Sequence, residues 1–390
     1  MYRIGEEEIN AVARVIRSGN MFKINDGLQE VKHFEEELKD KYGTENAILM
    51  TSGKAALISA LVGLGIGPGD QVIIPAYTYI ATAIAVTAVG AIPVIAEVDE
   101  TLTIDPADVE KKLTPNTKAV IPVHIQGFPC NLDAICALAE KHGLAVIEDA
   151  CQSVGGDYRG KKLGTVGNAG ALSFNQFKVI SAGEAGALMT NDRTVFSRAL
   201  IHHDSSAIAY FGNQLDGNEE EQFCGSEFRS NEITAAILRE QLKRLDGIIA
   251  DLRKNRRKII GGLKDIFDFI PSNDDAGDCG TTVAFRFENE EKTRKFAQLS
   301  PVGLCIPIDT GKHVYSNWTA VMNKRGAFHE GMDPFRMEAN RGLVPDYNAD
   351  MCPKMLDLLK RTAYLSVSPD WDDAQITDII NGFKTAAEKL

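Results

Sequence analysis

The chain lacks the marks of a membrane, secreted or nucleic-acid-binding protein. No apolar run is long enough to span a bilayer. The opening Met1 to Glu8 is polar and acidic with no apolar segment, so no signal peptide is expected. Lysine and arginine number 42 against 54 aspartates and glutamates, a formal charge of −12. That balance argues against nonspecific nucleic-acid binding and against an anionic membrane surface as partner. Cysteine pairs at C-x-x-C spacing are missing, and the seven cysteines are scattered and odd in number. This suggests reduced thiols and a cytoplasmic location rather than a disulfide frame. The seven histidines show no zinc spacing, so no structural metal is expected. Internal repeats and low-complexity tracts are absent as well.

What remains is an ordinary globular composition in a chain of 390 residues. Cores tend to split beyond roughly 250–300 residues, so two domains are expected. Helical apolar spacing marks Glu6 to Arg17 and Val31 to Tyr42. A βα rhythm follows. Short apolar runs at 47–50, 71–75, 93–98, 119–123 and 144–148 read as strands, and 55–64, 79–89 and 132–142 as helices between them. Such alternation predicts an α/β fold with a largely parallel sheet covered by helices on both faces. The rhythm weakens after about residue 195. A long helix is expected from Ile233 to Ile249, continuing through the basic run 253–258 into a second domain, with a strand over 281–287 and a closing amphipathic helix over 371–390. The domain change is placed near residue 248, giving a large domain over 1–248 and a smaller one over 249–390.

Chemistry in such a fold belongs at the carboxyl ends of strands. Asp149 follows Ile147-Glu148 at one such end, and Lys178 lies in Ser173-Phe174-Asn175-Gln176-Phe177-Lys178, ahead of a Gly-rich turn. Singly, a lysine is usually a solvated surface residue and an aspartate after a strand is often a helix cap. Together they suit pyridoxal phosphate (PLP): the lysine amine forms a Schiff base with the cofactor aldehyde, and the acid pairs with the pyridinium nitrogen. A buried Asp without a cationic partner is costly, and the pyridinium supplies that partner. Gln152 is placed to hydrogen-bond the phenolic oxygen. Thr51-Ser52-Gly53-Lys54 joins a strand to a helix, as an anion site or a plain N-cap. Tyr77 and Tyr79 bring aromatics to the next strand end, for ring stacking or for ordinary packing. Ser173 is spaced to bind phosphate while Lys178 reaches the aldehyde. Gly183 and Gly186 permit a tight turn behind the lysine.

From Ala47 to Asp192 the chain resembles the DegT/DnrJ/EryC1/StrS aminotransferases. The likeness is carried by segments 65–70, 75–79, 114–118 and 122–124, by Glu148-Asp149-Ala150, Ser173-Phe174 and Gly183-Glu184-Ala185-Gly186, and by 235–238 with Gln241-Leu242. It implies a fold-type-I PLP-dependent transferase with a seven-stranded-type sheet, a smaller α+β C-terminal domain and a homodimer with shared active sites. It also implies roles: Lys178 for the Schiff base, Asp149 for the ring nitrogen, Gln152 for the ring oxygen, Tyr79 for stacking, and Ser173 with the Gly53 and Lys54 amides for the phosphate. Three positions depart from the family pattern. Lys54 replaces a usual threonine, Ala185 a glycine, and Glu227 stands where an asparagine reaches the partner subunit's phosphate. A cation gained at one phosphate position and an anion at the other suggest that Lys54 of one subunit pairs with Glu227 of the other; the plain alternative is that both face solvent.

The reaction expected is a ping-pong transfer of an amino group from L-glutamate or L-glutamine to a keto-sugar or keto-cyclitol. Rival readings are a sugar dehydratase, a noncatalytic PLP-fold regulator and a PLP enzyme acting on an amino-acid-like substrate. The resemblance implies that the dehydratases carry histidine in place of the lysine. Arg229 and Lys23 are either candidates for a substrate diphosphate or plain surface cations. His313, Tyr315, Trp318 and His329 either line a sugar pocket or pack the small domain.

Overall fold

The structure, a computed structural model, describes residues 3–24, 27–205 and 220–390. Its centre is a seven-stranded sheet in the order β1-β9-β8-β5-β4-β2-β3. The strands are β1 (Asn46–Met50), β2 (Gln71–Pro75), β3 (Ile92–Ala96), β4 (Thr117–Val120), β5 (Ala145–Asp149), β8 (Ala169–Ser173) and β9 (Gly186–Thr190). A separate two-stranded ribbon pairs β6 (Asp157–Tyr158) with β7 (Lys161–Lys162). β3, β2, β4, β5 and β8 pair in parallel, whereas β9 runs antiparallel to both β8 and β1. Only β9 is reversed. The carboxyl ends of the other six strands and the start of β9 therefore share one edge of the sheet.

Every residue of β2, β3, β8 and β9 is buried, as expected for strands covered on both faces. Alternation divides their side chains between two apolar clusters. Leu49, Ile73, Val120, Val146 and Leu172 join the helices Glu30–Tyr42, Leu132–His142 and Glu232–Leu263. Ile48, Ile74, Ile121, Ile147 and Ala171 face the helices Gly53–Gly63, Ala81–Ala88 and Arg193–His203. Gly63 admits the last of these, since a Cβ there would lie 2.7 Å from the Val195 carbonyl oxygen.

The long helix continues through the basic run 253–258. It starts at an Asn231 cap and runs for 32 residues to Leu263, through the expected domain change at 248. Its first half buries Ala235, Leu238 and Leu242, and its second half Leu252, Ile259 and Leu263. Beyond it a three-stranded antiparallel sheet forms from β10 (Asp268–Phe269), β11 (Thr282–Arg286) and β12 (Thr362–Ser366). The helices Glu290–Leu299 and Asp373–Ala387 complete this unit. Phe285 sits 5.1 Å from both Phe296 and Phe383 between ring centroids and is fully buried.

Between Ile306 and Asp350 the chain forms a strap of short turns laid across the large sheet. Tyr315 and Trp318 are fully buried there. Tyr315 Oη donates to the Ala349 carbonyl at 2.6 Å, and Trp318 Nε1 to that of Lys312 at 2.9 Å. These two residues pack the core and line no sugar pocket. Among the described residues, no helix is long and apolar enough to cross a membrane.

Truncating Phe285 to alanine is expected to lower stability by about 3–5 kcal/mol, the range for a buried ring lost from a packed core. Urea denaturation followed by circular dichroism measures it.

Candidate active site

The shared sheet edge opens on a cavity of about 510 Å³. Tyr79, Gln152 and Lys178 line it, together with Gln126, Cys151, Thr281, Lys312 and His313. A cleft of about 630 Å³ near Arg286 and Arg361 is lined by other residues of the small unit and holds none of the expected site residues.

Lys178 owes its place to the reversal of β9. Because β8 ends and β9 begins at the same edge, the connection between them is a return loop confined to that edge. Phe174 N–H donates to the Ala185 carbonyl at 2.8 Å and Gln176 N–H to that of Gly183 at 3.0 Å, closing the loop across its width. Gly183 has φ 88°, a conformation that favours glycine, whereas Ala185 has no positive φ and is buried. That contrast accounts for the tolerated alanine.

At the end of β5, two successive acids point to opposite sides of the strand and meet different fates. Glu148 is fully buried and accepts from His124 Nε2 (3.0 Å) and from the backbone N–H groups of Gly164, Val166 and Gly167 (2.6–2.8 Å). The Cys130 N–H donates to His124 Nδ1 at 3.0 Å, which fixes the tautomer with hydrogen on Nε2. Asp149 is also buried; its carboxylate accepts from Thr82 Oγ1 (2.8 Å) and the Cys151 N–H (3.2 Å), with the Cys151 thiol beside it. Among the described residues no cation pairs with it. A pyridinium N–H would supply what the carboxylate lacks.

The β1 end supplies the anion-binding corner. Ser52 caps the helix Gly53–Gly63, its hydroxyl accepting from Ala55 N–H at 3.1 Å. Among the described residues, the N–H groups of Gly53 and Lys54 have no hydrogen-bond acceptor, which suits a phosphate. Ser173, buried at the end of β8, has its Cβ 3.1 Å from where a Gly53 Cβ would lie. A Cβ at Gly53 would also lie 2.4 Å from Cys151 Sγ, and one at Gly186 would lie 2.2 Å from the Ser52 carbonyl carbon. The turn is thus walled by two glycines that no other residue can replace without movement.

The remaining wall comes from the strap. Thr78 and Ile80 N–H donate to the carbonyls of His313 and Lys312, at 3.1 and 3.0 Å, and Tyr315 N–H to that of Ala76 at 3.1 Å. This pairing sets the His313 ring 5.4 Å from that of Tyr79, which is 42% exposed to the cavity. Burial pushes the His313 imidazole below its usual range, opposed by a hydrogen bond with the Thr310 backbone and reinforced by the positive Lys178. A neutral ring therefore faces the cavity at pH 7. Burial, then the nearby Asp149 carboxylate, holds the Cys151 thiol well above its ordinary range, so it stays protonated.

Several expected residues lie elsewhere. Lys23 is buried in an ion pair with Glu35 (2.9 Å) and 3.3 Å from His203 Nε2, so it meets no diphosphate. Arg229 is spent on Asp204 (2.6 Å) and Glu227 (2.8 Å) and lies over the Phe22 ring. Glu227 lines no part of the cavity within one chain, and no ion pair reaches the exposed Lys54 among the described residues. His329 is exposed, its Nδ1 accepting from Gly331 N–H. Of the four aromatic candidates only His313 lines the cavity. Thr82, Cys151 and Gln126 carried no sequence signal of their own beyond adjacency to motif residues.

A lysine on a return loop, an under-satisfied buried carboxylate and an open helix end together fit PLP, and this constellation on a mostly parallel sheet defines a PLP-dependent transferase fold. The DegT/DnrJ/EryC1/StrS aminotransferase family profile matches residues 2–302. The chain belongs to that family, and its cofactor is PLP. The spore coat polysaccharide biosynthesis protein SpsC of Bacillus subtilis is 39% identical over 273 residues, 69% of this chain and 68% of the relative. GDP-perosamine synthase of Caulobacter vibrioides is 40% identical over 234 residues, 59% of this chain and 60% of the relative. The matched stretches thus span about two thirds or less of the relatives' own lengths. Among solved structures, the aminotransferase of Psychrobacter cryohalolentis superposes with a TM-score of 0.81 at 26% identity, covering 100% of this chain and 98% of the other. S. venezuelae DesV gives 0.79 at 29% identity, with 98% and 95% covered.

Replacing Gly186 by alanine drives a Cβ into the Ser52 peptide. Overpacking of this kind costs about 1–3 kcal/mol, so PLP affinity is expected to fall roughly ten- to a hundredfold in an absorbance titration.

Proposed function

We propose that the protein transfers an amino group from L-glutamate or L-glutamine to a keto-sugar or keto-cyclitol by a ping-pong mechanism. The observation that carries this reading is the pairing of a cavity-lining Lys178 with the buried, cation-free Asp149 carboxylate at one sheet edge. The relatives support a sugar acceptor, since GDP-perosamine synthase and a spore coat polysaccharide protein are among them. Dehydratases such as GDP-4-keto-6-deoxymannose-3-dehydratase share the fold at 19% identity. The lysine at 178 favours transamination over that alternative.

Bound PLP would supply an electron sink for the charge that develops at the donor α-carbon. Asp149, held by Thr82, keeps the ring nitrogen protonated. Gln152 and Tyr79, which line the cavity, would hold the ring, the first as a hydrogen-bond donor to its phenolic oxygen and the second as an aromatic partner. Ser173 and the amides of Gly53 and Lys54 hold the phosphate. Lys178 Nζ takes the proton from the donor α-carbon, and in the second half-reaction delivers one to the acceptor carbon that receives nitrogen. His313, uncharged, offers the acceptor a hydrogen-bonding group without a competing cation.

Purified protein loaded with PLP is expected to show a visible absorbance band that L-glutamate or L-glutamine converts to a shorter-wavelength form, and that the correct keto-sugar restores. Lys178→Ala should lose at least about a thousandfold in turnover. A band unmoved by either donor overturns the donor assignment, and substantial turnover by the alanine variant overturns the role of the lysine.

We also propose a homodimer in which Lys54 of one subunit meets Glu227 of the other beside the phosphate. Both side chains are exposed in the single chain, Glu227 by 63%. Lys54→Glu should weaken PLP binding, and adding Glu227→Lys should recover it. Light scattering that gives a monomer, or a double variant no better than the single, refutes this arrangement.

A further inference from the structure

Among the described residues, Gln126 is one of five non-glycine residues with positive φ, at φ 54° and ψ 19°. In that left-handed conformation its N–H points at the Gln152 side chain, donating to Oε1 at 3.1 Å. A backbone N–H only donates, so the atom it meets is the amide oxygen. The Gln152 Nε2 group is thereby turned the other way, and among the described residues it has no hydrogen-bond partner. Both glutamines line the cavity.

The Gln126 peptide is held from its other side by the small unit. Thr281 Oγ1 donates to the Gln126 carbonyl at 2.6 Å, and Thr282 Oγ1 to its Oε1 at 3.3 Å. The next residue, Gly127, lies so close to the segment leading into β11 that a Cβ would meet that of Cys279 at 2.7 Å. The strained residue is therefore clamped between the large sheet and the segment 279–282 that leads into β11.

We propose that Gln126 is a positioning residue whose left-handed backbone fixes the Gln152 amide as a hydrogen-bond donor toward the cofactor's phenolic oxygen. The inference rests on the PLP site proposed above. Without this contact the Gln152 amide is free to rotate by half a turn, which would present an acceptor oxygen to an oxygen that also accepts. The clamp also ties the donor's orientation to the seating of the small unit, since Thr281 holds the Gln126 carbonyl and Thr282 its side-chain amide oxygen.

A donor at the phenolic oxygen stabilises its deprotonated form and lowers the pH at which the bound cofactor's visible band titrates. The experiment is a pH titration of that band in PLP-loaded full-length protein without substrate. Gln126→Val places a β-branched residue where left-handed backbone is disfavoured; Gln126→Gly keeps both the N–H and the conformation. The valine variant is expected to titrate higher by several tenths to about one pH unit, the equivalent of one hydrogen bond. The glycine variant should follow the wild type. Thr281→Val, which frees the Gln126 carbonyl, should shift the band in the same direction by less and serves if the valine variant does not fold. Equal midpoints in all variants overturn the proposal, as does a glycine variant that shifts as far as valine. Wild-type protein that forms no visible band with PLP instead removes the cofactor reading, and this inference with it.

Discussion

The arrangement turns on an inequality between two neighbouring carboxylates. Glu148 and Asp149 are both buried at the end of β5, where an unsatisfied charge is costly. Glu148 is answered by a histidine and three backbone amides, and so ties the 164–167 turn and the His124 loop to the central strand. Asp149 is answered by one hydroxyl and one amide. The first carboxylate builds the floor of the site, and the second is left to seek a positive partner from outside the chain. Everything placed around it, from the open helix end at Gly53 to the amine of Lys178, follows from which strands end beside β5.

Much of this was legible in the sequence because it is local. A strand-end acid, a Ser-Gly turn before a helix, and a lysine before glycines are short patterns with fixed consequences in a parallel sheet, and Asp149, Gly53, Ser173 and Lys178 fall at the sheet edge as expected. The charges were harder. Lys23 and Arg229 read as free cations, yet each is neutralised by an acid distant in sequence or at a loop junction, Glu35 in one case and Asp204 in the other. Tyr315 and Trp318 look like sugar-stacking aromatics in a polar stretch, but their polar atoms are consumed by backbone carbonyls. The positive φ of Gln126 left no trace in composition, since glutamine has no special preference for that conformation. The unbroken helix Glu232–Leu263 likewise runs through the expected domain change at 248 with a continuous periodicity.

The cavity has two walls of different origin. The cofactor side, Gly53 to Lys178, lies within the stretch that matches the family, residues 2–302. Lys312, His313 and Ser366 lie beyond it. The second wall belongs to a strap whose backbone is docked on residues 76–80.

The reversal of β9 has a consequence for tolerance to change. The loop bearing Lys178 is anchored at both ends in buried neighbouring strands whose register is fixed residue by residue, Ser173 against Gly186. An extra residue on most surfaces of this protein would be absorbed by bulging into water. Here it has nowhere to go without sliding one strand of the sheet or re-addressing the amine. Natural length variation should therefore be sparse between positions 173 and 186 and concentrated in the turns of the strap.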